Sequence, residues 1–260
     1  MNPQNEYNPV PPVIPPPLKA GQSTTTKLGD NPSDHIPVTG ILSAFDALLR
    51  QPRRVLFHLT QPRSAKLIAA MLSIAIACSL IYGVVVGTFS GGVQLWAAPM
   101  KITIGLLISA LICLPSLYIF ACLSGSQARL VEVAGLVGGL LALMTVLLIG
   151  FAPVAWVFSQ STESVVAMGA LHLVFWLIAT YFGLRFLNHG FSQLSNGFKG
   201  GLKGWVVIFL LVMVQMATAL RPIVGTAETL LPREKKFFLT HWSDCWKDSE
   251  RSHHSLLERE

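Results

Sequence analysis

The chain has 260 residues, of which 52% are hydrophobic and only 12% charged, and its mean hydropathy is +0.56. An ordinary water-soluble domain carries about 25% charged residues, so there is too little charge here to solvate a soluble fold. The balance is basic, +6 with pI ≈ 9.3, yet most Lys and Arg flank apolar runs instead of forming a groove-sized patch, which argues against nucleic acid as the partner and for a lipid surface.

Residues 1–38 are expected to form a disordered arm. They contain PVPPVIPPP from Pro9 to Pro17, followed by Gly, Ser, Thr and Asn, a composition that buries too little apolar surface to offset its ordering entropy. The start lacks the basic residues and apolar core of a secretory signal peptide. A solvated tether is the default reading, and a docking segment for a proline-recognising domain is the alternative.

Residues 39–65 read as a cytoplasmic amphipathic lead-in. Ile41, Leu42, Phe45, Leu48 and Leu49 share one helical face, Thr39 is placed to cap the helix, and Pro52 interrupts it. With Arg50, Arg53, Arg54, Arg63 and Lys66 beside this apolar stripe, the segment is expected either to lie among lipid headgroups or to pack on the cytoplasmic ends of the spans.

Residues 66–222 read as a bundle of five transmembrane helices. A charge-free apolar run of about 20 residues crosses the ~30 Å hydrocarbon layer, and such runs are expected at about 67–89, 100–124, 130–158, 165–187 and 204–220. The first contains Gly83 and Gly87, a spacing that lets a neighbouring helix approach. The second contains Pro115, expected to kink it and to leave a carbonyl for Ser116 or another helix. The third carries Gly135, Gly138, Gly139, Gly150 and Pro153 and is expected to be central. Trp96, in the first loop, suits an interface.

Lys and Arg concentrate before the first span, at Arg129, and at Arg185, Lys199 and Lys203, whereas the first loop has only Lys101 and the third has none. The positive-inside bias therefore places the N-terminus in the cytoplasm. Residues 223–260, a polar and aromatic tail, would follow on the far side, although Arg221, Arg233, Lys235 and Lys236 lie close to the last span. Phe237, Phe238, Trp242 and Trp246 beside these basic residues fit an interfacial segment.

The search for chemistry returns few groups. There is no phosphate-binding loop, HExxH, GxSxG or intramembrane acid pair, so no catalytic residue and no cofactor site is assigned and an enzyme is not expected. Cys78, Cys113 and Cys122 fall within apolar runs, Cys245 in the tail, and no CxxC occurs, so neither disulfides nor a metal site are expected. Polar or helix-breaking groups inside a span are candidates by default because burying them is costly. They are Pro115, Tyr118, Pro153, His172, Gln215 and Arg221. His172 reads either as a proton-relay or ligand group or, more simply, as a neutral ring bonded to a carbonyl or a neighbouring helix, so His172→Leu is expected to leave folding nearly intact. Gln215 is expected to bridge helices, Arg221 to reach headgroups, and Arg129 and Glu132 to form a local ion pair.

ICLPSLYIF at residues 112–120, preceded by Pro99-Met100-Lys101 and followed by ALRPIVG at 219–225, resembles a group of uncharacterised bacterial multi-span proteins with ICLPSLY-like and LRP-G motifs. The resemblance covers about residues 42–225 and implies a bacterial inner-membrane protein without an established activity. More distantly the chain is similar to the Yip1 family, which has a cytosolic arm and five clustered spans. The acidic DLYGP-type motif of its eukaryotic members is missing, so no GTPase-binding role is carried over.

The expected function is that of a non-catalytic scaffold or partner-binding membrane protein. Its partners are the lipid bilayer and other membrane proteins or further copies of itself. The alternative is a small-solute transporter or channel component lined by the helices containing Pro115 and Pro153, although no inverted repeat is detectable. Depth and direction separate the two. Convergence of Tyr118, Thr145, His172 and Gln215 on one hydrated cavity favours transport, and dispersal favours a scaffold.

Overall fold

The computed structural model of the protein describes residues 28–62, 64–162, 164–194 and 201–219. Among them are one 3-10 turn, Pro32–His35, and seven α-helices, with no strand. These are α1 (Gly40–Arg50), α2 (Pro52–Leu59), α3 (Ser64–Ser90), α4 (Gln94–Leu123), α5 (Leu130–Ser161), α6 (Val165–Leu194) and α7 (Gly201–Ala219).

Four of the helices, α3 to α6, are long and apolar enough to cross a membrane. In lipid every backbone N–H and C=O must be satisfied within the segment, which is why uninterrupted runs of Leu, Ile, Val and Ala appear as helices. The protein is therefore a multi-pass membrane protein. α7 is shorter, its apolar stretch running only from Leu202 to Met216.

The helices extend beyond the expected spans. α4 begins at Gln94 instead of near 100, so it contains Pro99 as well as Pro115. α6 runs on to Leu194 instead of 187. Helices of 27 to 32 residues are about 40–48 Å long, more than the ~30 Å hydrocarbon layer, and their ends carry polar residues that an apolar window passes over.

Short connections reverse the chain. Gly91 and Gly92, at φ +64° and +53°, turn α3 into α4 through a backbone region that other residues avoid. At the end of α4 the Ser126 N–H donates to Ala121 O (3.0 Å) and the Gly125 N–H to Cys122 O (3.0 Å), with Gly125 at φ +76°. That is a Schellman stop, and only glycine enters its left-handed position without strain. α5 starts immediately afterwards, where the Glu132 carboxylate accepts the Arg129 backbone N–H at 3.0 Å.

α5 is the central helix. Within its most apolar stretch 72% is buried inside the protein, against 39% or less for α3, α4 and α6. It packs between α3 and α6, while α3 also packs on α4, and α7 lies along α4. The α3–α4 contact is close because Gly83 meets the backbone of Pro99. α1 and α2 gather at one end of the bundle, where Leu59 approaches Gly135 of α5, and Leu56 and Leu136 approach Gly190 of α6. We call this the cap end, and the opposite end, bearing residues 91–93 and the α5–α6 connection, the distal end.

α1 and α2 are separate because Gln51, preceding Pro52, leaves the helical region (φ −135°, ψ 63°) and Pro52 starts the next helix, where its missing N–H costs nothing. α1 seats Ala44, Ala47 and Leu48 inward and leaves Ile41, Leu42, Phe45 and Leu49 exposed. Leu48 thus departs from the face it was expected to share.

One expectation is corrected here. Residues 28–38, part of the arm expected to be disordered, are folded against α2. Asp34 is buried, its carboxylate accepts the Gly29 N–H at 3.1 Å, and Arg53 approaches it at 3.6 Å. Of the two alternatives for the lead-in, headgroups or packing, Arg54 follows the second: it is buried and donates to Ile36 O (2.9 Å) and Pro37 O (2.8 Å), with His58 on Ile36 O at 2.8 Å. The reason is backbone accounting: a proline-bearing segment without regular structure leaves carbonyls unpaired, and α2 supplies the donors. The rest of the arm, Arg63, Lys199 and the chain from residue 220 onward, Arg221 and the tail included, lie outside the described residues.

Candidate functional site

Two side-chain hydrogen bonds join α3 to its neighbours. Ser79, one helical turn before Gly83, shares a hydrogen bond of 2.9 Å with Thr103 of α4 and donates to Ile76 O of its own helix at 3.0 Å. Because Thr103 is one turn after Pro99, the Ser79–Thr103 and Gly83–Pro99 contacts form one continuous seam between the two helices.

On another face of α3, Tyr82 reaches His172 of α6. The Tyr82 hydroxyl and His172 Nδ1 are 2.7 Å apart, and the rings meet edge to face with centroids 5.7 Å apart at 90°. Tyr82 is fully buried and His172 is 7% exposed. With the phenol O–H donating to Nδ1, the ring carries its own proton on Nε2. Nε2 has no hydrogen-bond partner among the described residues.

The other candidates disperse. Thr145 is buried on α5 but donates to Leu141 O (3.0 Å) and Ala142 O (3.1 Å) of its own helix. Tyr118 is half-buried on α4, one turn before Cys122. Gln215 lies on the exposed side of α7. Pro115 and Pro153 are inside continuous helices, α4 and α5, and both face outward. Among the candidates that lie in the described residues, His172 is the one with a hydrogen bond to another helix. Arg221 lies outside the described residues.

Beside Pro115 the Cys113 carbonyl accepts from Ser116 Oγ at 2.8 Å and from Trp205 Nε1 of α7 at 3.0 Å. Trp205 is fully buried and stacks on Phe209, with centroids 5.1 Å apart. This is what fastens α7 to α4, and the sequence reading did not single out Trp205. Lys101, counted with the first loop, is buried about two turns into α4. At 100° per residue it is turned away from the side of α4 that Pro99 and Thr103 present to α3.

Tyr82 was also missed, although a signal existed. A tyrosine buried in a span needs a partner for its O–H. Tyr82 lies eight residues before the end of α3, and His172 seven after the start of the antiparallel α6, which matches their depths. The pairing changes what is expected of His172→Leu, because leucine leaves the Tyr82 hydroxyl buried without a partner. Tyr82→Phe and His172→Leu should each destabilise the bundle, and the double variant should lose less than the sum, with a coupling of about 0.6–1.7 kcal/mol. Unfolding of the four proteins in mixed micelles measures this. Strict additivity would show that the bond contributes nothing.

Among the described residues no three His, Cys, Asp or Glu side chains are grouped as metal ligands. The arrangement defines a helical multi-pass membrane bundle with one buried polar contact between α3 and α6. Comparison of the chain with family models returned no match. Comparisons with curated proteins and with solved structures returned none either.

Proposed function

We propose that the chain is a five-span protein of the bacterial inner membrane that acts as a non-catalytic scaffold, holding membrane partners or further copies of itself. In this reading α7 is the fifth span and the cap end faces the cytoplasm. The observation that carries the scaffold reading is the dispersal of the polar side chains: Thr145 turns to its own backbone, Gln215 to the outside of α7, and His172 to Tyr82. A transport path or an active centre would instead gather several of them on one cavity.

The orientation rests on charge. Arg50, Lys66, Arg129, Arg185 and Lys203 are all exposed toward the cap end, whereas Lys101 is the one Lys or Arg of the distal half among the described residues. That asymmetry is the positive-inside pattern, with the cap end inside. α1 lies in the headgroup layer, its outward Ile41, Leu42, Phe45 and Leu49 facing acyl chains and Arg50 facing phosphates. The resemblance to multi-span proteins with ICLPSLY-like and LRP-G motifs supports this reading of the compartment and assigns no activity.

Cross-linking in native membranes tests the scaffold reading. With reagents reaching exposed lysines, the protein should be recovered predominantly in one discrete complex of fixed stoichiometry that persists when the protein level is lowered several-fold. Recovery as a lone monomer under the same conditions would contradict it.

A further inference from the structure

The Tyr82–His172 contact leaves one valence open. His172 Nε2 is buried and has no hydrogen-bond partner among the described residues, whereas buried polar atoms in folded proteins are nearly always paired with protein or with water. The opposite proton arrangement, with Nδ1–H donating to the phenol oxygen, does not remove the vacancy. It turns an unmet donor into an unmet acceptor.

Depth makes the atom reachable. Tyr82 is eight residues from the distal end of α3 and His172 seven from that of α6, or about 10–12 Å along the helix axes. Helices of 27 and 30 residues overhang a ~30 Å hydrocarbon layer by about 5–8 Å at each end when centred in it. The pair therefore sits about 5 Å inside the hydrocarbon boundary on the distal side.

Charge restricts what can bind. After Lys66, α3 carries no Asp, Glu, Lys or Arg; α5 carries none after Glu132, at the cap end; and α6 carries none before Arg185. Lys101 is on the side of α4 turned away from α3. Among the described residues an ion beside His172 would have no opposite charge to offset its desolvation, and no group of three metal ligands is present there. An uncharged occupant pays no such penalty.

We propose that His172 Nε2 is the binding atom of a small intramembrane site that takes an uncharged, water-sized hydrogen-bonding molecule, water itself in the resting protein, admitted from the distal end. Tyr82 is the positioning residue. By donating to Nδ1 it fixes the tautomer that presents an N–H to the occupant. The inference goes beyond the scaffold reading and does not depend on it.

The test uses the full chain labelled with 15N-histidine and 15N-phenylalanine in phosphatidylcholine bilayers, with water as the probe. Solid-state NMR following magnetisation from water to the ring nitrogens, the His172 signal being assigned by its loss in His172→Phe, should show a protonated Nε2 and an unprotonated Nδ1. Transfer from water to Nε2–H should exceed that to the Phe175 backbone N–H at least ten-fold. In Tyr82→Phe the water transfer should persist while the proton distributes over both ring nitrogens. A protonated Nε2 receiving no more than the Phe175 amide would overturn the proposal, as would a ring with its single proton on Nδ1 in the unsubstituted protein.

Discussion

Gly83→Ala is expected to weaken the bundle more than any other single methyl added to α3. A Cβ built at Gly83 runs into the Cα of Pro99 and lies 2.9 Å from its nitrogen. Pro99 is backbone inside α4 and cannot rotate aside as a side chain would. The helices must part at their distal ends, stretching the Ser79–Thr103 bond now at 2.9 Å. Overpacking of this kind costs about 1–3 kcal/mol, and loss of the neighbouring hydrogen bond adds to it. Gly150→Ala is the control, since nothing lies within 4 Å of a Cβ there. It should be neutral or slightly stabilising, because alanine is the better helix former. Unfolding in mixed micelles distinguishes the two, and equal effects would mean that α3 and α4 do not meet at Gly83.

Arg54→Met should release residues 28–38 from α2 while leaving the long helices in place. The guanidinium holds Ile36 O and Pro37 O at 2.9 and 2.8 Å, and hydrogen bonds to a charged donor contribute about 1.5–3 kcal/mol each. Methionine keeps the apolar stem and removes the donors. His58 retains its bond to Ile36 O at 2.8 Å, so the loss is partial. A cost of about 2 kcal/mol raises local opening roughly 30-fold, measured as faster backbone hydrogen exchange in residues 28–38. Arg50→Met is the comparison. Its pair with Asp46, 3.2 Å apart and exposed on both sides, contributes little. Unchanged exchange in Arg54→Met would show that the segment is held by something other than these bonds.

These two sites also mark how far the sequence could be read. The long helices were legible because absence of charge over 20 or more residues has one physical meaning in a chain this apolar. Their ends were not, since Gln94 or His189 in a helix that has left the hydrocarbon layer looks like loop. The folding of residues 28–38 was hidden for a different reason. Composition reports what a segment buries by itself, whereas Asp34, Ile36 and Pro37 are held by Arg53, Arg54 and His58 from another element. A basic lead-in reads as lipid-facing until it is known that two of its arginines turn inward. Gly83 was noted as a small residue, but its counterpart Pro99 was placed in a loop.

The buried contact falls between these cases. His172 stood out by type, and its partner was within reach of depth matching along antiparallel helices. Tyr82 carries no charge, so a search for an acidic partner does not find it. Trp205, which donates to Cys113 O at 3.0 Å, shows the same limit. An aromatic in an apolar helix resembles lipid-facing bulk until its N–H is asked for a partner.

The central claim is that α3 to α6 cross a bilayer in alternating directions with the cap end inside. Single cysteines placed at Gly92, Thr162 and Ser126, in a chain whose four native cysteines are replaced by serine or alanine, test it with a membrane-impermeant maleimide. In intact cells whose outer barrier is permeabilised, Gly92→Cys and Thr162→Cys should label while Ser126→Cys labels only after the inner membrane is disrupted. Labelling of all three from the same side, or the reverse pattern, would contradict the account.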